Sequence, residues 1–247
     1  MRRLIVGFAA VAPILLVVLI WLGHPWAGVG VLALSHALIL YPTLRPNVQW
    51  LGPVITRFAS DGNEVWLTID DGPADDTRAI LDLLDARGAK ATFFVKGMLA
   101  AGRPELVREI VARGHGVANH SYSHPSGSFW CLSPARVAEE IDGCARLLGR
   151  NFWFRAPVGM KNPFVHPALA RRGMRLIGWT VRGFDALASD PERVVARLRP
   201  GITPGAIVVL HQGREWSVRT IERVVDEVQA MGYRLVIPED GRLITNR

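Results

Sequence analysis

The chain begins with two long apolar stretches, and a region of mixed polar and apolar composition follows them. Residues 4–22 carry no charge and come after Arg2 and Arg3, and a helix of this length spans the hydrocarbon core of a bilayer. A second apolar run covers residues 26–41 and has Trp and Tyr at its two ends, as is typical of membrane interfaces. The pattern predicts a hairpin of two transmembrane helices. The alternative is one span followed by an interfacial or buried helix.

The number of spans decides on which side of the membrane the rest of the chain lies. Arg2 and Arg3 favour a cytoplasmic N-terminus, so two spans return the chain to the cytoplasm whereas one span places it outside. No small-x-small cleavage site follows residue 22, which favours an uncleaved anchor over a signal peptide. We therefore expect an integral protein of the cell (inner) membrane, anchored by residues 1–43, and the side of its main domain stays open.

Beyond the anchor, residues 44–61 contain helix-interrupting prolines and are predicted to be a linker. From 62 to 247, short apolar runs alternate with stretches of helical periodicity, which is the pattern of an α/β domain with a parallel sheet covered by helices. Seven such repeats fit a (β/α) barrel better than an open doubly wound sheet. The predicted strands are Glu64–Ile69, Ala91–Val95, Gly116–Asn119, Phe152–Arg155, Arg175–Trp179, Ala206–Leu210 and Tyr233–Ile237.

Charge and cysteine content narrow the choice of partners. The net charge is +7, and arginine supplies most of the basic residues. In an anchored protein this charge favours anionic membrane lipid as a partner, at about 1 kcal/mol per basic residue near the surface. No motif of interleaved aromatic and basic residues predicts binding to nucleic acid. Cys131 and Cys144 have no metal-ligand spacing and are too few for a disulfide framework.

Ionisable residues follow the predicted strands at the point where each strand ends. Because the carboxyl ends of the strands of a barrel meet at one face, we expect these side chains to converge there. They are Asp70 and Asp71 after the first strand, His120 and His124 after the third, Arg155 at the end of the fourth, Asp185 after the fifth and His211 after the sixth.

The chemistry of these residues indicates a catalytic metal centre. His120 and His124 are four residues apart, which on one helical turn places both imidazoles on the same side. Two neutral imidazoles and one carboxylate are a common ligand set for a divalent metal with an open position, and Asp71 can complete it. Zinc is the expected metal, and cobalt, nickel and manganese are alternatives.

The other strand-end residues supply acid and base groups. Asp70 is the candidate base that deprotonates a metal-bound water, whose pKa the metal lowers. His211 is the candidate general acid for the leaving group. A buried Arg155 can orient the base through a charge-assisted hydrogen bond.

Four short motifs follow one another along residues 62–238, namely Thr68-Ile69-Asp70-Asp71-Gly72, His120-Ser121-x-x-His124, Arg155-Ala156-Pro157-Val158-Gly159 and Val209-Leu210-His211. In order and spacing they resemble the motifs of polysaccharide deacetylases, carbohydrate esterase family 4, also called the NodB-homology domain. The resemblance implies a distorted barrel of seven strands, with Asp70 as base, Asp71, His120 and His124 as metal ligands, and His211 as acid. It further implies that Arg155 tethers the base and that the backbone N–H of Val158 helps to form an oxyanion hole. The expected substrate-binding residues are Pro157, Val158, Trp179, Arg182 and Leu210.

A further family motif is altered in this chain. The family pattern resembles Asp-x-x-Asp-Trp, and here Asp185 keeps the second aspartate while Arg182 and Ala186 replace the first aspartate and the tryptophan. Asp185 can still pair with Arg155 or with His211. Arg182 can meet a phosphate or carboxylate on the substrate, or it can be a solvated surface arginine.

The resemblance implies a metal-dependent hydrolase that removes an N-acyl group, most simply acetyl, from an amino sugar. The substrate is either a cell-envelope polysaccharide or a lipid-linked saccharide. The alternative is an inactive carbohydrate-binding or assembly protein on the same fold. Such a protein is expected to have lost the base or a metal ligand, and Asp70, Asp71, His120, His124 and His211 are all present.

Overall fold

A computed structural model describes residues 1–149 and 152–245, and it begins with a helical hairpin. Helices α1 (Arg2–Trp21) and α2 (Pro25–Leu44) each have 20 residues, which corresponds to about 30 Å, the thickness of a hydrocarbon core. Both are long and apolar enough to cross a membrane. They pack closely at Gly28, where a Cβ atom would lie 2.8 Å from the side chain of Leu16.

After the hairpin, strands and helices alternate as the hydrophobic pattern predicts. The strands are β1 (Ile55–Phe58), β2 (Glu64–Gly72), β3 (Ala91–Val95), β4 (Gly116–Asn119), β5 (Trp153–Phe154), β6 (Arg175–Leu176), β7 (Val181–Arg182), β8 (Ala206–His211), β9 (Arg234–Leu235) and β10 (Leu243–Thr245). The helices are α3 (Thr77–Ala86), α4 (Gly97–Gly102), α5 (Pro104–Ala112), α6 (Pro134–Leu148), α7 (Val165–Ala170), α8 (Pro191–Leu198) and α9 (Ser217–Ala230).

The described strands form one curled sheet with the order β10-β1-β8-β2-β3-β4-β5-β6, with β7 paired to β8 and β9 to β2. From β8 through β2, β3, β4 and β5 to β6, each pair of neighbouring strands is parallel, whereas β1 is antiparallel to both β10 and β8. The sheet curls until Ile177, just after β6, forms a parallel bridge with Ile55 of β1. This single bridge closes the ring, and the predicted distorted barrel of the α/β class is confirmed.

The strand pattern differs from the prediction mainly at short strands. All seven predicted strands are present, but β5, β6 and β9 have only two residues each. Strand β1 lies within residues 44–61, so the second half of the predicted linker belongs to the sheet, between β10 and β8. A strand of three or four residues is too short for its hydrophobic periodicity to predict it from sequence. It is recognised in the structure by the strands with which it pairs.

The central strands present alternate residues to the two faces of the sheet. Leu67 and Ile69 of β2 pack under the helices, in a core shared with α3 and α9. Trp66 belongs to the separate core inside the barrel. Asp70 therefore shares the inner face with Trp66, and this alternation aims its carboxylate into the barrel, where the strand ends.

Candidate active site

Asp70 is held at the centre of the barrel by a buried arginine. Its side chain is 3 % exposed, and its Oδ1 atom accepts a hydrogen bond of 2.7 Å from Nη1 of Arg155, which is 1 % exposed. Arg155 also donates to Thr68 Oγ1 at 2.8 Å and to the carbonyl oxygen of Gly178 at 2.9 Å. Its guanidinium carbon lies 4.1 Å from the ring centre of Phe94. These contacts fix one oxygen of Asp70 and leave the other, Oδ2, for chemistry.

The predicted ligand set comes together beside Asp70. One ligand atom each from Asp71, His120 and His124 lies within 4.8 Å of the others. The two histidine Nε2 atoms are 3.1 Å apart, and Nε2 of His124 is 3.4 Å from Asp71 Oδ1. Ligands about 2.0–2.1 Å from a tetrahedral ion are roughly 3.3 Å apart, so these three side chains fit one divalent metal.

The protonation of the two histidines suits a metal. The Nδ1 atom of His120 lies 2.9 Å from the carbonyl oxygen of Arg155, which only accepts, so Nδ1 carries the proton and Nε2 keeps its lone pair. Burial lowers the pKa of His120, and burial together with the neighbouring His120 lowers the pKa of His124 to about 3. Both imidazoles are therefore neutral, as metal ligands must be.

Asp71 completes the set as an ionised carboxylate. Burial raises the pKa of Asp71, but His120, Lys96 and His124 outweigh burial and bring that pKa down to about 2. Lys96, which sequence reasoning missed, has its Nζ atom 3.0 Å from Asp71 Oδ1. It directly follows β3, so the rule that selected the other strand-end residues would also have found it.

The ligand histidines lie on a loop, and the prediction of a helical turn is wrong. Residues 120–124 have no helical structure, and Ser121 and His124 adopt φ angles of 66° and 53°. Asp71 and Val158 also have positive φ, at 77° and 48°. Such angles are unfavourable for non-glycine residues, above all for a β-branched valine, and they cluster at functional sites.

The predicted general acid lies at the end of β8, paired with an aspartate. Asp185 accepts from the backbone N–H of His211 at 2.6 Å and from its ring Nδ1 at 3.0 Å, so the open question of its partner is answered in favour of His211. Burial lowers the pKa of His211, but the carboxylates of Asp185, Asp70 and Asp71 outweigh it and raise that pKa above its ordinary value. The Nε2 atom of a protonated His211 is then free to donate.

One cavity of about 350 Å³, within the size range of small-molecule sites, is lined by the candidate base, ligands and acid and by Lys96, while Arg155 and Asp185 lie behind its wall. Of the predicted substrate-binding residues, Val158, Trp179 and Arg182 line it. Leu210 does not: its side chain is fully buried in the core under the helices, because β8 alternates, and Val209 lines the cavity instead. Pro157 is buried behind Val158 and is also not among the lining residues.

Comparison with known proteins agrees with this geometry. Residues 59–177 match the family model for polysaccharide deacetylase. The chain is 34% identical over 199 residues to a chitooligosaccharide deacetylase of Bradyrhizobium sp. (strain ANU 289), a match that covers 71% of this chain and 89% of the relative.

Solved structures of the same fold include an esterase and a pseudoenzyme. A family 4 carbohydrate esterase from Streptomyces lividans, in complex with acetate, has a TM-score of 0.67 and 28% identity, covering 76% of this chain and 100% of that one. A CE4 family pseudoenzyme from Bacillus anthracis has a TM-score of 0.66 and 26% identity, covering 73% and 65%. The fold by itself therefore does not establish catalysis, and the side chains of the site must.

Proposed function

Because the chain belongs to the polysaccharide deacetylase family, we propose that it is a metal-dependent hydrolase that removes an N-acyl group, most simply acetyl, from an amino sugar. One observation carries the proposal. The base candidate Asp70, the Asp71–His120–His124 cluster and the acid candidate His211 all line the same cavity. An inactive carbohydrate-binding protein would have no use for this set of groups.

The roles of the residues follow from which of their atoms are already engaged. Asp71, His120 and His124 would hold the metal, which when bound supplies an acidified water and polarises the acyl carbonyl. Asp70 takes the proton of the attacking water at Oδ2, since Arg155 occupies Oδ1.

The second half of the reaction needs an acid and an oxyanion site. His211 gives a proton from Nε2 to the departing amine, since Asp185 occupies Nδ1. Val158, held at the cavity wall, brings its backbone N–H toward the oxygen that becomes negative.

The substrate is an N-acylated amino-sugar polymer of the cell envelope or a lipid-linked saccharide, and α1 and α2 anchor the enzyme as an integral protein of the cell membrane. The length and apolar composition of both helices support the anchor.

The test of function is amine release by full-length protein loaded with zinc, cobalt, nickel or manganese, on chitooligosaccharides and peptidoglycan fragments. Absence of amine release with every metal and substrate would refute the proposal.

Asp71→Asn is expected to lower metal affinity by more than about 100-fold, because it removes the charged ligand of the Asp71–His120–His124 cluster. Loss of an outer-shell partner, which does not touch the metal, typically costs roughly 10–100-fold. Competition with a chromophoric chelator measures the dissociation constant. The matched control is Asp75→Asn, which removes a 94 % exposed carboxylate just beyond the end of β2. Equal affinity of the Asp71 and Asp75 variants would contradict the ligand assignment.

Asp185→Asn is expected to shift the basic limb of the pH profile of kcat/KM to lower pH by about 1–2 units. The Asp185 carboxylate raises the pKa of His211, so its removal lets the imidazolium lose its proton at lower pH. Activity needs the protonated acid and is lost as pH rises through this pKa. Asp190→Asn, an exposed cap of α8, is the charge-matched control, and an unmoved basic limb in the Asp185 variant would exclude His211 as the acid.

A further inference from the structure

The wall of the active-site cavity carries two arginines without acidic partners. Arg182 and Arg214 both line the cavity, and neither forms an ion pair within residues 1–149 and 152–245. The Nε atom of Arg182 is buried and lacks a hydrogen-bond partner among these residues. Other arginines at or near the surface, such as Arg172 and Arg223, form ion pairs with Asp142 and Glu192. A guanidinium with unused donors at a cavity is a site for a planar or tetrahedral anion.

The position of Arg182 is fixed by aromatic rings. Its guanidinium carbon lies 5.3 Å from the ring centre of Trp179 and 4.9 Å from that of Phe184. Asp185, the nearest acid in sequence, is occupied by His211 and does not neutralise it. Stacking therefore holds the charge in place and leaves its hydrogen-bond donors to a ligand.

The same cavity lies beside the end of the second apolar helix. Gly159, which lines it, packs so closely on Pro46 that a Cβ atom would lie 2.8 Å from that ring. Asn47 donates a 2.8 Å hydrogen bond to the carbonyl oxygen of Trp179. Pro46 is two residues past the end of α2, which is at most about 7 Å of chain.

A buried lysine fastens this junction. Nζ of Lys161 donates to the carbonyl oxygens of Arg45 and Pro46 at 2.9 and 2.8 Å. These contacts attach the wall of the cavity to the residues that directly follow α2. If the hairpin crosses the bilayer, this point lies at the depth of the lipid head groups.

The hairpin also determines the side of the membrane. Nη1 of Arg2 donates to the carbonyl oxygen of Pro163 at 3.4 Å, so the N-terminus meets the domain on the side where α2 ends. With Arg2 and Arg3 next to the first span, the positive-inside rule assigns that side to the cytoplasm. Leu187, which lines the cavity, is 84 % exposed, and Phe184, which stacks on Arg182, is 48 % exposed. Exposed apolar side chains of this kind are found at lipid interfaces.

We propose that the substrate is an N-acylated amino sugar joined through phosphate to a membrane lipid in the cytoplasmic leaflet, and that Arg182 and Arg214 bind the phosphate. The inference rests on the proposed N-deacetylase function and selects one of its two substrate classes. The phosphate sits at the membrane surface with the lipid, and the sugar reaches inward to Asp70 and the metal ligands.

The test uses the full-length, metal-loaded protein in phosphatidylcholine nanodiscs with four N-acetylglucosamine compounds. They are the dodecyl diphosphate ester, the dodecyl glycoside, the 1-phosphate and the neutral tetramer, so phosphate and lipid are varied independently. We expect kcat/KM for the diphosphate ester to exceed that for the glycoside by about 10–100-fold. The ratio should fall to within a few-fold in Arg182→Gln/Arg214→Gln. It should persist in Arg108→Gln/Arg171→Gln, which removes two exposed charges outside the cavity.

Each of the other possible outcomes overturns one part of the proposal. Preference for the tetramer, or an unchanged ratio in the Arg182/Arg214 variant, overturns the inference and leaves the deacetylase function standing. Equal turnover of the 1-phosphate overturns the lipid requirement. Amine release from none of the four, together with none from chitooligosaccharides and peptidoglycan fragments, refutes the proposed function. Binding of the four compounds to the Asp70→Asn protein tests the phosphate site separately, and equal affinity for the ester and the glycoside overturns it. If a reporter fused to the carboxy terminus is found on the non-cytoplasmic side of the membrane, the cytoplasmic placement of the domain is overturned.

Discussion

Asp70→Asn is expected to lower kcat by roughly 10²–10⁴-fold and to leave metal binding unchanged, because the amide cannot accept the proton of the attacking water. The substitution is nearly isosteric. The amide oxygen can still accept the hydrogen bond from Arg155 Nη1, so the central contact of the barrel is kept. Amine release and metal content are measured on the same preparation, with circular dichroism as a check on folding.

The comparison with Asp71→Asn makes this test specific. The two aspartates are adjacent in sequence, and their roles are separated only by geometry: Asp70 is bound to Arg155, whereas Asp71 lies 3.4 Å from Nε2 of His124. Asp71→Asn should lose metal and recover activity at high metal concentration. Asp70→Asn should keep metal and recover nothing. Substantial turnover by the Asp70 variant would overturn its assignment as the base.

The parts of the site that could be predicted from sequence are those that the barrel itself positions. Asp70 and His211 lie opposite each other in the register of β2 and β8, so a rule about strand ends finds both. The candidate metal cluster was predicted from residue type, although the helical-turn argument for its spacing was wrong. His120 and His124 meet because a loop with positive φ angles folds them together, and no helical turn is involved.

Sequence reasoning misplaced those residues whose position depends on side-chain direction and tertiary contacts. Leu210 belongs to a family motif, but in a strand neighbouring residues face opposite sides, so Val209 and His211 reach the cavity and Leu210 does not. Arg182 could be either a ligand site or a solvated surface residue by sequence. Only its stacking on Trp179 and its unpaired Nε distinguish it from an ordinary surface arginine.

The proposed catalytic base and the fold depend on the same buried arginine. Arg155 joins β2, through Thr68 and Asp70, to the carbonyl oxygens of Ile177 and Gly178 across the barrel. Ile177 also makes the bridge to β1 that closes the ring. Arg155 therefore holds the carboxylate of Asp70 and also connects two parts of the sheet that are far apart in strand order.

Arg155→Met is expected to destabilise the protein by about 3–5 kcal/mol, because it leaves the Asp70 carboxylate buried without its counter-ion. For a chain of this size that corresponds to a fall in Tm of roughly 6–20 °C. Thermal unfolding of the full-length protein in detergent, followed by circular dichroism, measures it. Arg87→Met is the matched control, since Arg87 pairs with Glu222 and Asp226 at the surface and should hardly change Tm.

The double variant Asp70→Asn/Arg155→Met separates charge from packing as the cause of that loss. If the cost comes from the unpaired carboxylate, removing the carboxylate as well restores part of the lost stability, and the two substitutions are not additive. If the cost comes from the lost contacts of Arg155 with Phe94, Thr68 and Gly178, the double variant is no more stable than Arg155→Met. We expect partial recovery, because Asp70 is 3 % exposed and no other cation contacts it among the described residues.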